Sequence, residues 1–233
     1  MAHWTTSLLN PAKDPSETSE YDAKLEIAQK VSRRAEKGQV IGAGSGSTAL
    51  IALQELARRE AKETLDLIFI PTSYEIDWAC WSFGLRVGSL THYKPDWCFD
   101  GADEIDPQGN MIKGRGGAMY REKLVMSACD TRLILVDQTK FVGKLGEKFA
   151  VPVECDPNAL TGIESGLVTL GGDKIEIRQA KGKDGPVITE KGNVILDVSF
   201  SSIDQNTEKD ISAIPGVLES GLFWGYTPEI LSL

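Results

Sequence analysis

Asp100-Gly101-Ala102-Asp103-Glu104-Ile105-Asp106, Lys113-Gly114-Arg115-Gly116-Gly117-Ala118 and Arg121-Glu122-Lys123 place five carboxylates, two lysines and a glycine-rich turn within 24 residues. Such a set can move protons on an anionic substrate: a carboxylate takes the proton and a cation stabilises the oxyanion that forms. Glu122 is the sharpest candidate for the base. On a helical wheel Ala118, Met119, Val125, Met126 and Cys129 surround its direction, while Tyr120, Lys123 and Ser127 fall elsewhere. A carboxylate on an apolar face is pushed toward its neutral form, which raises its pKa toward that of a base working near neutral pH. The bland alternative is a buried Glu paired with a structural Lys or Arg.

The run Asp100, Asp103, Glu104, Asp106 follows an apolar strand, and three readings fit it. It binds Mg²⁺ or Ca²⁺, or its side chains bond the local backbone of a turn, or it lies beyond a strand's carboxyl end, where open α/β sheets hold ligands. Lys113 either stabilises an oxyanion or pairs with one of these carboxylates. A second motif, Gly42-Ala43-Gly44-Ser45-Gly46-Ser47-Thr48, reads as a strand–turn–helix junction whose unpaired N–H groups and hydroxyls suit a phosphate. The same residues also suit a plain capped turn. No Lys follows the last glycine, as a nucleotide-binding P-loop requires, and Ser47 occupies the place of the third glycine of a dinucleotide fingerprint. His92 reads as a surface-loop residue, Trp78 and Trp81 as side chains packed against a sheet, and Lys140 as either a substrate contact or a solvated lysine.

These residues need elements to hold them. Ser19 through Ala35, Gly46 to about Lys62, Tyr74–Phe83, Gly117–Cys129 and Pro157–Leu170 carry helical patterns. Between them Gln39–Ala43, Leu67–Ile70, Leu85–Val87, Trp97–Phe99 and Arg132–Val136 read as strands, so strands alternate with helices and imply an open, mostly parallel α/β sheet. After Gly146 the rhythm changes to Ala150–Glu154, a helix, and the strands Ile175–Arg178 and Val194–Val198 around a Gly-rich loop. We therefore expect a flexible extension at 1–18, an α/β domain over 19–146 and 218–233, and a small α+β domain at 147–217. Gly221–Phe223 and Glu229–Leu233 are expected to return to the first sheet.

A chain of 233 residues buries a substantial core. Its net charge of −9 argues against a nucleic-acid partner, while local N–H groups and lysines still accommodate a small anion. Cys80, Cys98, Cys129 and Cys155 have no metal-ligand spacing and read as reduced core residues. Only His3 and His92 are available, which argues against histidine chemistry. With no signal-peptide pattern and no membrane-spanning apolar run, a cytoplasmic location is expected.

In this order the motifs resemble ribose-5-phosphate isomerase, type A. The resemblance rests on Gly42–Thr48, Pro71-Thr72-Ser73, Asp100–Asp106, Lys113–Lys123, Asp137–Lys140 and Leu145-Gly146. It continues through Val151–Glu154, Gly192–Val198 and Ala213–Val217 to Phe223, covering about residue 20 to the end. It implies a doubly wound α/β domain plus a smaller ferredoxin-like one, and a homodimer or homotetramer. It further implies interconversion of ribose 5-phosphate and ribulose 5-phosphate through a cis-enediolate, without metal or organic cofactor. By position, Glu122 is implied to shuttle the proton between C2 and C1, Asp100 to assist ring opening, and Lys113, with Asp103 nearby, to stabilise the enediolate. Lys24, Ser45, Gly46, Ser47, Thr48, Gly116, Gly117 and Lys140 are implied to hold substrate, chiefly its phosphate. Arg115 departs from the pattern, standing where many members have glycine. A non-catalytic sugar-phosphate sensor is the competing class; it would keep the Gly42–Thr48 turn but would not need Lys113 and Glu122 together.

Overall fold

The computed structural model describes residues 20–232. The extension expected at 1–18, with His3, and the Ser19 cap lie outside the described residues. In chain order the elements begin with α1 (Tyr21–Arg34), β1 (Val40–Ala43), α2 (Ser47–Glu63), β2 (Ile68–Pro71), α3 (Tyr74–Ser82), β3 (Arg86–Val87) and β4 (Trp97–Asp100). Then come β5 (Glu104–Ile105), β6 (Met111–Ile112), α4 (Met119–Ala128), β7 (Thr131–Val136) and β8 (Val151–Cys155). The chain closes with α5 (Leu160–Thr169), β9 (Gly172–Ile177), β10 (Val194–Phe200), α6 (Thr207–Ser212), β11 (Val217–Ser220), β12 (Leu222–Phe223) and β13 (Glu229–Ser232).

Two compact units form. The first takes the described residues up to Gly101, Val125–Leu135 and the C-terminal strand from Glu229; the second takes Ala102–Leu124 and Val136–Pro228. The first holds a six-stranded sheet in the order β3-β2-β1-β4-β7-β13. The pairings β3–β2, β2–β1, β1–β4 and β4–β7 are all parallel. Its strands are short, nearly continuous apolar runs because a parallel sheet is covered on both faces. Ile41, Phe69, Phe99 and Leu133 from the strands pack with Ile27 and Leu53 from the helices, each at most 1% exposed. Burying each such side chain contributes on the order of 1.5–3 kcal/mol.

A local signal accounts for the start of α3. Ser73 caps α3, its hydroxyl accepting the Ile76 N–H, and α2 stops at Thr64, whose φ is +52°. Trp78 and Trp81 correct the expectation of packing on the sheet: they are 50% and 42% exposed, and Ile76, Ala79 and Cys80 form the buried side of α3. Trp78 stacks instead on Tyr74, one helical turn away.

In the second unit β8-α5-β9-β10-α6-β11 forms an antiparallel sheet in the order β11-β8-β10-β9, the ferredoxin-like arrangement. Val151, Val153, Leu196 and Val198 pack there on Ile163 and Leu167 of α5. A separate three-stranded sheet, β12-β6-β5, carries the acidic hairpin. Two expectations change here. Leu222-Phe223 pairs with Met111-Ile112 rather than returning to the six-stranded sheet; only β13 does that. Residues 102–124, 136–146 and 218–228 group with the small sheet, where the sequence places the boundary at 146/147; β5, β6 and β12 form their own sheet, and Ile105 of β5 is bridged to Phe141. The sequence reading also misses α6, a six-residue polar segment with one buried side chain, Ile211.

Candidate active site

In the first unit, β1 lies between β2 and β4, with strand order reversing direction at the β1–β4 boundary. That reversal is where doubly wound sheets bind ligands, and the Gly42–Thr48 turn leaves β1 there. Gly44 sits so close to Asp100 that a Cβ on it would lie 2.3 Å from the carboxyl carbon; only glycine fits. The Gly44 N–H donates to the Phe99 carbonyl at 2.8 Å. Asp100 Oδ1 in turn accepts from the N–H groups of Ser45 (3.1 Å) and Gly101 (2.8 Å). The buried Asp100 carboxylate is thus oriented by backbone donors.

Ser45 Oγ donates to Ser73 Oγ at 3.0 Å and lies 2.8 Å from Thr72 Oγ1. A hydroxyl has one proton to give, so Thr72 is the donor in the second contact. Gly46, with φ +98°, starts α2, and the first helical bond runs from Leu50 N–H to Gly46 O. The N–H groups of Ser47, Thr48 and Ala49 therefore have no partner within the helix, a donor set that favours an anion. Gly46 and Ser47 are exposed and Thr48 half-buried. Thr72 and Ser73 belong to a motif noted in the sequence, but nothing local shows that their hydroxyls meet Ser45.

In the second unit, Lys113 and Glu122 are 2% and 6% exposed, and Lys113 Nζ stands 3.2 Å from Glu122 Oε2. Both readings of the sequence meet in this pair: Glu122 is buried, and it is paired with a lysine. Burial alone favours the neutral acid, whereas the adjacent ammonium favours the carboxylate. Gly114 (φ +97°) and Gly117 (φ +83°) shape the intervening turn, closed by Gly117 N–H to Gly114 O at 2.9 Å. Close approach also dictates Gly221, where a Cβ would fall 2.2 Å from the Lys113 carbonyl oxygen that lies against it.

Lys123, set apart from Glu122 on the helical wheel, has its own partners. It is buried, donating to Glu208 at 2.6 Å and Glu219 at 2.8 Å, and its Nζ lies 4.8 Å from the centre of the Phe223 ring. Lys113 Nζ stands 5.5 Å from the same ring. Arg115 also finds a place. Its N–H donates to Asp103 Oδ2 at 3.0 Å, and its mostly exposed guanidinium lies 3.6 Å from Asp103 Oδ1.

All four carboxylates of the acidic run accept backbone N–H groups. Glu104, with no exposed surface, accepts from the N–H groups of Gly146, Lys148 and Phe149 at 2.5–2.7 Å. Asp106 accepts from the N–H groups of Gln108 and Asn110 and from the Asn110 side chain at 2.8–2.9 Å. Both carboxylates shape backbone, as the turn reading of the run expects. Among the described residues no group of three or more His, Cys, Asp or Glu side chains is arranged to hold a metal ion.

Lys24, half-buried on α1, belongs to the first unit, and Lys140, half-buried in the turn after β7, to the second. Gly116 is exposed and Gly117 half-buried. The four cysteines are buried free thiols. Burial raises Cys80 to about 12 and Cys155 to about 11; contact with Cys129, then burial, holds Cys98 far above the usual thiol range.

Residues 68–232 match the family model of ribose 5-phosphate isomerase A (phosphoriboisomerase A). The chain belongs to that family. Ribose-5-phosphate isomerase A of a Synechococcus species is 42% identical over 212 residues, covering 89% of this chain and 91% of its own. The Methanocaldococcus jannaschii protein of the same name is 41% identical over 208 residues, covering 88% and 91%. The solved structure of the latter has a TM-score of 0.87 at 39% identity, covering 92% of this chain and 95% of that one. A D-ribose-5-phosphate isomerase solved in complex with phospho-erythronic acid gives 0.87 at 35%, covering 91% and 93%. The isomerase family accounts for both the fold and the order of the motifs. No helix among the described residues is long and apolar enough to cross a membrane.

Proposed function

We propose that this chain interconverts ribose 5-phosphate and ribulose 5-phosphate through a cis-enediolate, as part of the non-oxidative pentose phosphate pathway. The observation that carries the reading is the buried Lys113–Glu122 pair. Moving a proton between C2 and C1 needs a base that first takes and then returns it, and a cation that steadies the oxygen as it gains charge. Glu122 is the base and Lys113 the cation, with Asp103 assisting. Asp100, held by the Ser45 and Gly101 N–H groups, assists opening of the sugar ring. Ser45, Gly46, Ser47 and Thr48 hold the phosphate through backbone N–H and hydroxyl donors, with Lys24, Lys140, Gly116 and Gly117 as further contacts. Binding energy on the phosphate, remote from the reacting carbons, is then available to orient them. A relative's structure with phospho-erythronic acid supports a sugar-phosphate ligand. The reaction as drawn needs no metal or organic cofactor. A cytoplasmic homodimer or homotetramer is the form we infer from the family.

The test is incubation with ribose 5-phosphate in D₂O, followed by NMR. The expected product is the ketose with deuterium at C1, diluted by internal return of the original proton. No ketose at all would overturn the proposal and leave the sugar-phosphate sensor as the alternative.

A further inference from the structure

Arg178, directly after β9, reaches back to the turn that carries Lys113. Its guanidinium makes four hydrogen bonds. Nη1 donates to the carbonyl oxygens of Gly114 (2.8 Å) and Arg115 (2.9 Å), Nε donates to Asp197 Oδ2 (2.9 Å), and Nη2 donates to Asp197 Oδ1. The arginine side chain is 16% exposed and its partner 28%. Asp197 lies on β10, and the Arg178 N–H is tied to the Ile195 carbonyl of the same strand at 2.9 Å. A cross-strand ion pair would need only Nε and Nη2. Both protons of Nη1 are directed instead at consecutive carbonyls of the glycine turn.

The geometry of one peptide group makes this consequential. The Gly114 C=O and the Arg115 N–H belong to the same planar trans unit, so they point in opposite directions. Arg178 holds the C=O end, and the N–H end donates to Asp103 Oδ2 at 3.0 Å. The Gly114 carbonyl also accepts the Gly117 N–H at 2.9 Å, so Arg178 adds a hold from a distant strand to a turn in which Gly114 has φ +97°. We propose that Arg178, oriented by Asp197, is a positioning residue. It locks the Gly114–Arg115 peptide plane and thereby fixes Asp103 and the backbone that presents Lys113. This rests on the assignment of Asp103 and Lys113 to the reaction proposed above. Arginine is suited to the task because its rigid fork serves two carbonyls and a carboxylate in one plane, which a lysine ammonium cannot do.

The test compares Arg178→Ala and Arg178→Lys with Asp103→Asn and Lys113→Met, with ribose 5-phosphate as substrate. Arg178→Ala is expected to lose about 10²-fold in kcat, the cost of roughly 1 Å of misplacement, with KM little changed. Guanidinium ion at non-denaturing concentration restores part of the loss. The Arg115 amide, followed by NMR hydrogen exchange, loses protection in the same variant. If Arg178→Ala does not fold, Arg178→Lys decides, since it keeps the charge opposite Asp197 and is expected to keep the melting temperature while losing turnover. Wild-type kcat and an unchanged Arg115 amide in Arg178→Lys, alongside impaired Asp103→Asn and Lys113→Met, overturn the inference about Arg178. Full activity in Asp103→Asn and Lys113→Met instead overturns the site assignment on which it rests.

Discussion

Glu104 and Glu122 are both buried glutamates of the second unit, eighteen residues apart, and their surroundings differ in kind. Glu104, on the β5–β6 sheet, accepts from three backbone N–H groups. Those donors are set by the path of 146–149 and cannot leave, so the carboxylate serves as a permanent tie for that loop. Glu122, on α4, stands beside the Lys113 ammonium. A lysine side chain can shift its proton donors toward a new oxyanion, and a carboxylate it releases can accept a proton. Burial of a carboxylate therefore does not by itself mark chemistry; the two differ in whether the partner shown can change.

The strongest way to break this contrast is Glu122→Gln. Turnover of ribose 5-phosphate is expected to fall about 10²–10⁴-fold, the usual contribution of a general base, while circular dichroism shows a folded chain. Near-wild-type kcat would remove Glu122 as the base. Next in size is Glu104→Ala, which strands the three N–H groups. Urea unfolding is expected to show a loss of about 2–4 kcal/mol, with kcat per folded molecule almost unchanged; a large kcat loss without destabilisation would place Glu104 in the chemistry.

A pH series sharpens the comparison by separating stability from turnover. Cys80 and Cys155 titrate near 12 and 11 in the folded chain, against about 9 for a free thiol. Below pH 9 both states hold these protons. Between 9 and 12 the unfolded chain binds fewer, so stability falls as pH rises. The urea midpoint is expected to drop across that window, less so in a Cys80→Ala variant. A midpoint that stays level to pH 11 would contradict it. The smallest effect concerns the acidic run: prolonged EDTA treatment is expected to leave kcat unchanged. Activity lost with EDTA and restored by Mg²⁺ would return a metal to Asp100 or Asp103.

Much of this was legible locally. The helical wheel placed Glu122 among Met119, Val125 and Met126 because a long-lived apolar face repeats every 3.6 residues. The strand–helix alternation through 40–136 yielded the first sheet. The wheel set Lys123 away from Glu122 and gave no hint that it is buried too, between Glu208 and Glu219. Trp78 and Trp81 misled in the opposite sense, since large aromatic side chains carry no instruction about which side of a helix will find a neighbour.

By itself the sequence determined the order of most elements, the helical faces around Glu122, the glycine-rich turn after β1 and the stretch that holds the proposed base and cation. Periodicity and turn chemistry act over a few residues, so a single chain displays them. Only the tertiary structure decided which carboxylates of 100–106 are committed to backbone, that Arg178 grips a turn more than sixty residues earlier, and that Arg115 contributes its amide to Asp103. Those outcomes depend on hydrogen bonds between distant segments, whose partners no local pattern names.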